Sequence, residues 1–309
     1  MTSSLKASIK RFYRYCPLLR ELNMIRDSVA QQSRTLGAMS AQLAGIEKAS
    51  KAIQCASVIQ AIELLKSGNE RYRDAKRLLC YGAQYWSQNY EDGALEEIFR
   101  RIGTTTKTFV EIGIGDGTET NTTALLSDGW TGFWFETDAP SCAKIRNRLA
   151  QVPDVASRIK LIETFVAPST IARVFEEVGV PDEVDLFSLD IDFNTYHVWK
   201  ALGKFRPRVV VVEYNAGISP SRDWINGLNE GEKWDGSQNF GASLKAFELL
   251  GRSFSYSLVG CDITGANAFF VRSDLIQEGM FAEPFTAENH YEPPRYRLLY
   301  RNAHPSAIF

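Results

Sequence analysis

Carboxylate and amide side chains end two of the apolar runs that the sequence predicts to be neighbouring strands. Asp190 and Asp192 end the fourth of these runs, and Glu213 and Asn215 end the fifth. A spacing of two residues places both members of each pair on one side of an extended chain. Because ligands of open α/β sheets bind beyond the C-terminal ends of the strands, these four side chains are candidates for a reacting centre.

Two chemistries fit this set. In the first, Asp190, Glu213 and Asn215 supply oxygen ligands to a hard divalent cation such as Mg²⁺, which lowers the pKa of a bound hydroxyl. In the second no metal takes part, and Asp190, Asp192 or His197 removes the proton as a general base. The sequence slightly favours the metal. A structural role for the two aspartates, and helix packing or a surface position for His197, stay open as alternatives.

A glycine-rich bend follows the first apolar run, and an acidic residue ends the second. Glycines let the backbone pass close to a ligand, and their G-x-G-x-G spacing departs from the G-x-G-x-x-G that a dinucleotide pyrophosphate site prefers. Glu111 would repel a pyrophosphate but can organise a loop around a ligand that carries an ammonium group, such as S-adenosylmethionine. Glu136, 19 residues beyond Gly117, can accept hydrogen bonds from ribose hydroxyls. The bend and the helix start that follows it comprise Glu111, Gly113, Gly115, Gly117, Asn121 and Thr122.

The two acids and the glycine bend resemble class I S-adenosylmethionine-dependent methyltransferases, and the wider pattern resembles their FkbM-like branch. The resemblance covers about residues 85–275. It implies that the three glycines lie against the cofactor, that Glu136 holds its ribose and that Gln88 lies nearby. Phe165 is expected to cover the adenine or, as an equal alternative, to pack in the core. The matching segments are residues 87–93, 109–121, 132–136, 184–192, 208–215, 241–244, 260–261 and 267–272.

Two positions depart from the pattern of the branch. Phe193 follows the Asp-Ile-Asp triplet where relatives commonly have glycine, and Tyr90 replaces the glycine of a Gln-Asn-Gly-Glu-Asp pattern. Both changes are compatible with cofactor binding. They mean that the substrate of a relative does not transfer to this chain.

The elements that must position these residues form an alternating series. From Phe109 onward, short and nearly continuous apolar runs alternate with helical patterns, which is typical of parallel strands covered on both faces. Five parallel strands and a terminal antiparallel hairpin between Ser255 and Arg272 predict a Rossmann-like α/β fold with a seven-stranded, mostly parallel sheet. Residues 1–80 are predicted to form a helical arm, and residues 81–309 the methyltransferase domain.

The arm carries apolar residues at alternating steps of four and three, which is a heptad pattern. It predicts a coiled coil that joins two or three copies of the chain, and the alternative is a helical hairpin packed on its own domain. The basic start from Lys6 to Arg20 offers a further contact with an anionic membrane or an assembly surface. The apolar positions are Leu18, Leu22, Ile25, Val29, Leu36, Met39, Leu43, Ile46 and Ile53, with Gln32 and Ser50 as polar interruptions.

Composition excludes several classes of protein. A formal net charge of −2 leaves no global basic field, so general binding of nucleic acid is not expected. The five cysteines are scattered without a CxxC pair, which argues against a zinc site or a disulfide framework. No signal peptide or apolar stretch long enough to span a membrane is visible, and we expect a cytoplasmic location.

The function that these features predict is S-adenosylmethionine-dependent O-methylation of a glycan or a hydroxylated small molecule, with Mg²⁺ as a candidate second cofactor. The rivals are a non-catalytic methyltransferase-like scaffold on a coiled coil and a nicotinamide dehydrogenase. Aromatic residues of the long loop 217–241 and of the C-terminal tail are candidates for a wall against a sugar, with ordinary packing as the alternative. They are Trp224, Trp234, Tyr291, Tyr296 and Tyr300.

Overall fold

The computed structural model describes residues 17–228, 237 and 239–298, and the chain forms two compact units, Met1–Ser57 and Val58–Phe309. Two of the predicted aromatic residues, Trp234 and Tyr300, lie outside the described residues. So does the predicted basic segment, apart from Arg20. The domain boundary predicted near residue 80 stays a prediction.

The arm is one continuous helix, α1, over Pro17–Gly68. Gly37 and Gly45 do not interrupt it, and it does not fold back into the hairpin of the alternative prediction. The helical character of the arm is therefore confirmed, whereas its assembly into a coiled coil stays a prediction. Among the described residues, no helix combines the length and the apolar character that a membrane span requires.

The second unit is built on one seven-stranded sheet in the order β3-β2-β1-β4-β5-β7-β6. The first five strands run parallel, and β7 is antiparallel to both β5 and β6. The predicted Rossmann-like sheet with its terminal antiparallel hairpin is thus confirmed. The strands are β1 Thr108–Ile112, β2 Thr131–Glu136, β3 Ile159–Glu163, β4 Leu186–Leu189, β5 Val209–Glu213, β6 Tyr256–Cys261 and β7 Asn267–Arg272.

Eight helices of the described part accompany the sheet. They are α2 Glu91–Ile102, α3 Thr123–Ser127, α4 Ala139–Leu149, α5 Pro153–Ala156, α6 Ile171–Val178, α7 Thr195–Ala201, α8 Leu244–Ser253 and α9 Ala287–His290. Short 3₁₀ turns lie at Glu70–Tyr72, Leu78–Cys80, Asp192–Asn194 and Ser273–Leu275.

Apolar side chains leave both faces of the sheet, as the continuous runs predict. Phe109 and Val211 join one buried cluster, with α2, α3 and α4, whereas their chain neighbours Val110 and Val212 join the other, with α6, α7 and α8. Strands buried on both faces cannot shift their register without exposing apolar surface, so the C-terminal ends of the strands are held in fixed relative positions. The strand order reverses between β1 and β4, which is where ligands of such sheets bind.

Candidate active site

The glycine bend after β1 lies directly against the end of β4. A Cβ built on Gly113 would stand 1.7 Å from the carbonyl oxygen of Asp190, and the φ of Gly113 is 86°. Only glycine fits this combination of close approach and left-handed backbone. Gly115 also has a positive φ, of 55°, but nothing lies within 4 Å of the place where its Cβ would stand. The bend therefore closes tightly on β4 and leaves open space in front of Gly115.

The acid at the end of β2 reaches the same bend. The Glu136 carboxylate accepts a hydrogen bond from the Gly115 backbone N–H at 2.7 Å and two more from Thr137 and Asp138 at 2.8 Å. The side chain is buried, with the residue 8 % exposed. Glu136 and the bend thus lie together at the switch in strand order.

Glu111, the acid before the bend, fixes the start of α3. Its carboxylate accepts hydrogen bonds from the Asn121 N–H at 2.8 Å and from the Thr122 hydroxyl at 2.5 Å, and Trp134 Nε1 donates to that hydroxyl at 2.8 Å. Burial, with a smaller contribution from the charge of Asp190, raises the pKa of Glu111 to about 7, although both hydrogen bonds oppose this shift. Glu111 organises the loop, as predicted, and it does so through backbone and hydroxyl contacts.

Three carboxyl groups meet beyond β4 and β5, and we call Asp190, Asp192 and Glu213 the carboxyl cluster. Asp190 and Glu213 share a hydrogen bond. The Asp190 side chain is open to solvent, yet protein atoms crowd it, and this desolvation followed by the charge of Asp192 raises its pKa to about 6. Desolvation and the charges of both aspartates raise the pKa of Glu213 well above its ordinary value. The hydrogen bond between the two lowers the pKa of Asp190 and raises that of Glu213, so Asp190 is the member of the pair that ionises first.

The candidate metal ligands do not form a metal site. Within the described residues, no group of three or more His, Cys, Asp or Glu side chains is placed to hold a metal ion. Asp190 and Glu213 are bonded to each other, and the Asn215 side-chain oxygen accepts a hydrogen bond from the Gly217 N–H at 3.0 Å. The Mg²⁺ hypothesis thus finds no support in these residues.

His197 contacts the loop that follows β5. Its Nε2 lies 2.9 Å from the carbonyl oxygen of Asn226, and its ring meets the Tyr196 ring edge to face. A carbonyl oxygen can only accept, so Nε2 carries the hydrogen in this contact. The contact favours a positioning role in helix packing over the role of general base.

Two other predicted cofactor residues occupy different environments. Phe165 lies two residues beyond β3 and is 53 % exposed, so it does not pack in the core as its alternative role required. It is accessible to a flat ligand. Gln88 is half-buried, and its backbone carbonyl accepts a hydrogen bond from Gln84 Nε2 at 2.8 Å.

The motif around Gln88 has a clear backbone role. One oxygen of the buried Asp92 carboxylate accepts hydrogen bonds from the N–H groups of Tyr85, Trp86 and Ser87 at 2.6–2.8 Å. Tyr90 adopts a left-handed conformation with a φ of 71° at the start of α2. The backbone therefore keeps the shape that glycine favours at this position.

A cavity of about 410 Å³ lies beside Asn215, at the end of β5. Sequence reasoning anticipated Trp224 and Asn215 here but missed Arg222, whose guanidinium forms no ion pair or hydrogen bond with any residue that the structure describes. Its position in the loop after a central strand was the available signal. The remaining lining residues are Gly217, Ile218, Ser237 and Asn239.

The aromatic residues of the tail approach the same strand end. The Tyr291 hydroxyl donates to the Ala216 carbonyl at 2.6 Å, and Tyr296 bonds the same backbone. Burial, with a contribution from the charge of Glu213, raises the pKa of Tyr296 to about 12. The structure therefore brings Trp224, Tyr291 and Tyr296 to the end of β5.

Comparison with known proteins yields likenesses of structure alone. No family model matches the chain, and no curated protein sequence matches it. The glycopeptide N-methyltransferase MtfA, solved with sinefungin, aligns at 15 % identity and a TM-score of 0.39 over 69 % of this chain and 96 % of its own. Magnesium protoporphyrin IX methyltransferase (ChlM) from Synechocystis PCC 6803 aligns at 9 % identity and a TM-score of 0.39, over 68 % of this chain and 96 % of its own. A SAM-dependent methyltransferase from Aquifex aeolicus aligns at 8 % identity and a TM-score of 0.35, over 58 % of this chain and 89 % of its own. Because these TM-scores are low, the assignment of a Rossmann-like fold rests on the strand order itself.

Proposed function

We propose that this chain is an S-adenosylmethionine-dependent O-methyltransferase, of the FkbM-like branch, that acts on a hydroxyl of a glycan or small molecule. The observation that carries the proposal is the joint placement of an acid-flanked glycine bend and a hydrogen-bonded pair of carboxyl groups, Asp190 and Glu213. The Asp190 backbone touches the bend, while the Asp190 side chain is bonded to Glu213. The proposed cofactor-binding bend and the proposed proton acceptor thus lie together at the end of β4.

Four features support a cofactor held by the bend. The space in front of Gly115 is open, Glu136 stands at its N–H, and the loop that Glu111 fixes closes on the other side. Phe165 offers an exposed aromatic face at the end of the neighbouring strand. When bound, S-adenosylmethionine supplies a methyl group on a positively charged sulfur. The proposed contacts are those of Gly113, Gly115, Gly117, Glu136, Asn121, Thr122, Phe165 and Gln88.

The carboxyl pair performs the proton transfer in this proposal. A neutral alcohol is a weak nucleophile, so its hydroxyl must lose a proton as the new O–CH₃ bond forms. Asp190 is ionised at neutral pH and open to solvent, and it takes this proton. Glu213 donates a hydrogen bond to Asp190, while Asp192 raises the basicity of Asp190. No step requires a metal ion.

The cavity beside Asn215 is the proposed acceptor site. Its lining includes the indole of Trp224, the amides of Asn215 and Asn239, the hydroxyl of Ser237 and the guanidinium of Arg222. An aromatic face beside hydrogen-bonding groups suits a ring that carries hydroxyls. The backbone of Trp224 is fixed there because its main-chain N–H donates to Ser243 Oγ at 3.0 Å, at the start of α8. Substitution of Trp224 by alanine is expected to weaken acceptor binding.

The proposal places catalysis in the second unit, and gives the helical arm a role in self-association rather than chemistry. We place the enzyme in the cytoplasm. Contact of the basic N-terminal segment with an anionic surface is a separate proposal about residues outside the described part.

The test is calorimetric titration of the purified chain with S-adenosylmethionine and, separately, with NAD. Glu136→Gln should weaken binding of the methyl donor at least tenfold, because it removes a carboxylate from the ribose site. Glu163→Gln is the matched control, since Glu163 lies opposite Glu136 in the register of β2 and β3 but pairs with Arg146 on the surface. A methyl-transfer screen of neutral and acidic sugars then identifies the acceptor.

Each outcome of the titration decides between the candidate functions. Micromolar binding of the methyl donor that Glu136→Gln weakens and Glu163→Gln preserves supports the enzyme. Binding of NAD in its place supports a dehydrogenase. If neither nucleotide binds, the methyltransferase-like domain is a scaffold, and the proposed function is wrong.

A further inference from the structure

The arm presents a stripe of large apolar side chains to solvent. Nine residues recur at steps of three and four, with Gln32 and Ser50 as polar interruptions, and each of the nine is 53–68 % exposed. A fully exposed stripe of this length on a 52-residue helix marks an interaction surface. The stripe, which we call the seam, comprises Leu18, Leu22, Ile25, Val29, Leu36, Met39, Leu43, Ile46 and Ile53.

The seam fits a second copy of the same helix. Its spacing places Leu22 at heptad position a and Ile25 at position d, and the pattern then holds to Ile53. Gly37 and Gly45 fall at positions b and c, on the outer face, so neither glycine leaves a gap in the seam. A strict repeat of 3.5 residues keeps an apolar stripe facing its partners only if the helices supercoil around each other.

The area of the seam is sufficient for stable association. At about 100 Å² of apolar surface per side chain, the nine residues offer roughly 900 Å² per helix, which is close to the about 800 Å² that each partner buries in a standard interface. An isolated helix in water would leave this surface exposed.

We infer that the arms of three or four copies of this chain form a parallel coiled coil. Three of the five a positions hold leucine, the others being Val29 and Ser50, and three of the six d positions hold isoleucine, the others being Leu18, Gln32 and Met39. Leucine at a with isoleucine at d is the reverse of the dimer pattern and favours trimers and tetramers. Half of the twelve flanking e and g positions between Leu19 and Ala56 are small and uncharged, and these can face a third or fourth helix. These flanking residues include Ser28, Ser33, Thr35, Ser40, Ala49 and Ala56.

Polar side chains in and beside the seam favour the parallel orientation. In a parallel assembly in register, Gln32 at position d meets its own copies, and the side-chain amides can bond one another. In an antiparallel assembly, where position a packs against position d of the neighbouring helix, pairing Leu22 with Ile53 sets Gln32 against Leu43, which leaves a buried amide without a partner. Parallel pairing also brings Glu21 at g toward Arg26 at e of the next helix, which is a favourable charge pair.

Sedimentation equilibrium of the full chain tests the number of copies. The expected mass is three or four times the 34.7 kDa of one chain. The seam variant Leu36→Asp with Ile46→Asp should reduce it to the mass of one chain, whereas the outer-face variant Ala38→Asp with Ala44→Asp should leave it unchanged. A wild-type mass of one or two chains, or a seam variant that stays assembled, overturns the inference.

Disulfide trapping tests the orientation. Leu22→Cys places a thiol near its own copy only when the helices are parallel, so mild oxidation should give linked chains on a non-reducing gel. The wild-type chain, with its own five cysteines, supplies the background. Linked chains at the background level overturn the parallel arrangement.

Discussion

The backbone of Gly113 closely approaches the Asp190 carbonyl, so the glycine bend is directly linked to the residue that we propose as the proton acceptor. Gly113→Ala would place a methyl group 1.7 Å from that oxygen. The bend must then move, which we expect to cost at least about 3 kcal/mol of unfolding free energy and to abolish binding of the methyl donor. Urea unfolding and calorimetry measure the two effects.

Gly115→Ala is the matched comparison. Gly115 also has a positive φ, but the place that an added Cβ would occupy is open. The expected loss of unfolding free energy is therefore only about 1 kcal/mol. Its Cβ points into the proposed cofactor space, so donor affinity should fall more than stability does. Equal losses of stability in the two variants would show that the contact with Asp190 is not what constrains the bend.

Asp190→Asn tests the proton acceptor. Asparagine keeps the shape of the side chain but cannot take a proton at neutral pH, so kcat should fall by about 10²–10⁴-fold. Affinity for the methyl donor should stay within a few-fold of wild type, because the amide still fits beside the bend. Methyl-transfer assays and calorimetry on the same preparation separate the two quantities. Near-wild-type kcat would exclude Asp190 as the base and leave Asp192 or His197.

The pH dependence of methyl transfer by the wild-type protein provides an independent check of the proposed proton acceptor. Because the raised pKa of Asp190 is about 6, kcat/KM should rise with pH through about 6 as Asp190 loses its proton, and then reach a plateau. Asp192→Asn removes the neighbouring charge that raises this pKa, so it should move the rise to lower pH. A profile that does not respond to Asp192→Asn would contradict the assignment.

At the scale of elements, the buried Asp185 connects the strands that position the site. Its carboxylate accepts hydrogen bonds from the N–H groups of Thr105, Thr106 and Lys107 at 2.6–2.8 Å and pairs with Arg208 Nε at 3.2 Å. The residue is 0 % exposed. A single side chain thus joins the entrances of β1, β4 and β5.

Asp185→Asn should lower the unfolding free energy by about 3 kcal/mol, because an amide nitrogen would face N–H donors and leave Arg208 unpaired. Urea unfolding measures the change. Asp182→Asn, at an exposed position of the same loop, is the control and should change stability by less than about 0.5 kcal/mol. A similar small change in both variants would mean that the carboxylate does not hold these entrances together.

The central strands could be predicted from the sequence because their signal is local. Strands β1, β2, β4 and β5 coincide with short, nearly continuous apolar runs, in which β-branched, aromatic and leucine residues predominate. Helix α2 was not identified, since it begins after Tyr90 in a left-handed conformation rather than after a typical capping residue. Helix boundaries of this kind depend on the tertiary contacts of Asp92.

The candidate site likewise has a part that could be predicted from the sequence and a part that could not. The acid-flanked bend and the cluster of Asp190, Asp192 and Glu213 could be predicted, because adjacent strand ends bring them together. The contacts of His197 and Asn215 could not, because they depend on the path of the loop after β5, where Asn226 and Gly217 supply the partners. Sequence spacing carries no information about that path.

At the scale of the whole second unit, a buried polar network joins helix α2 to the terminal hairpin. Asn267 donates to the Glu91 carboxylate at 2.6 Å, and the Thr264 hydroxyl lies 3.1 Å from the Asn89 side-chain oxygen. Burial and the charge of Asp262 raise the pKa of Glu91 to about 8. Two segments far apart in the chain are therefore held by a carboxyl group that stays protonated at neutral pH.

This network makes global stability depend on pH. The folded state keeps the Glu91 proton up to about pH 8, whereas the unfolded state releases it near pH 4.5. The contribution of the protonated Glu91 to the unfolding free energy is therefore complete below about pH 4.5 and is lost as the pH rises to about 8. The unfolding free energy should fall with pH in this window by up to about 1.4 kcal/mol per unit. Glu91→Gln cannot ionise, so its slope should be shallower, whatever its stability at a single pH. Glu96→Gln, on the exposed face of α2, should keep the wild-type slope. Urea unfolding of the three proteins from pH 5 to 9 measures the slopes, and parallel curves would show that Glu91 does not control them.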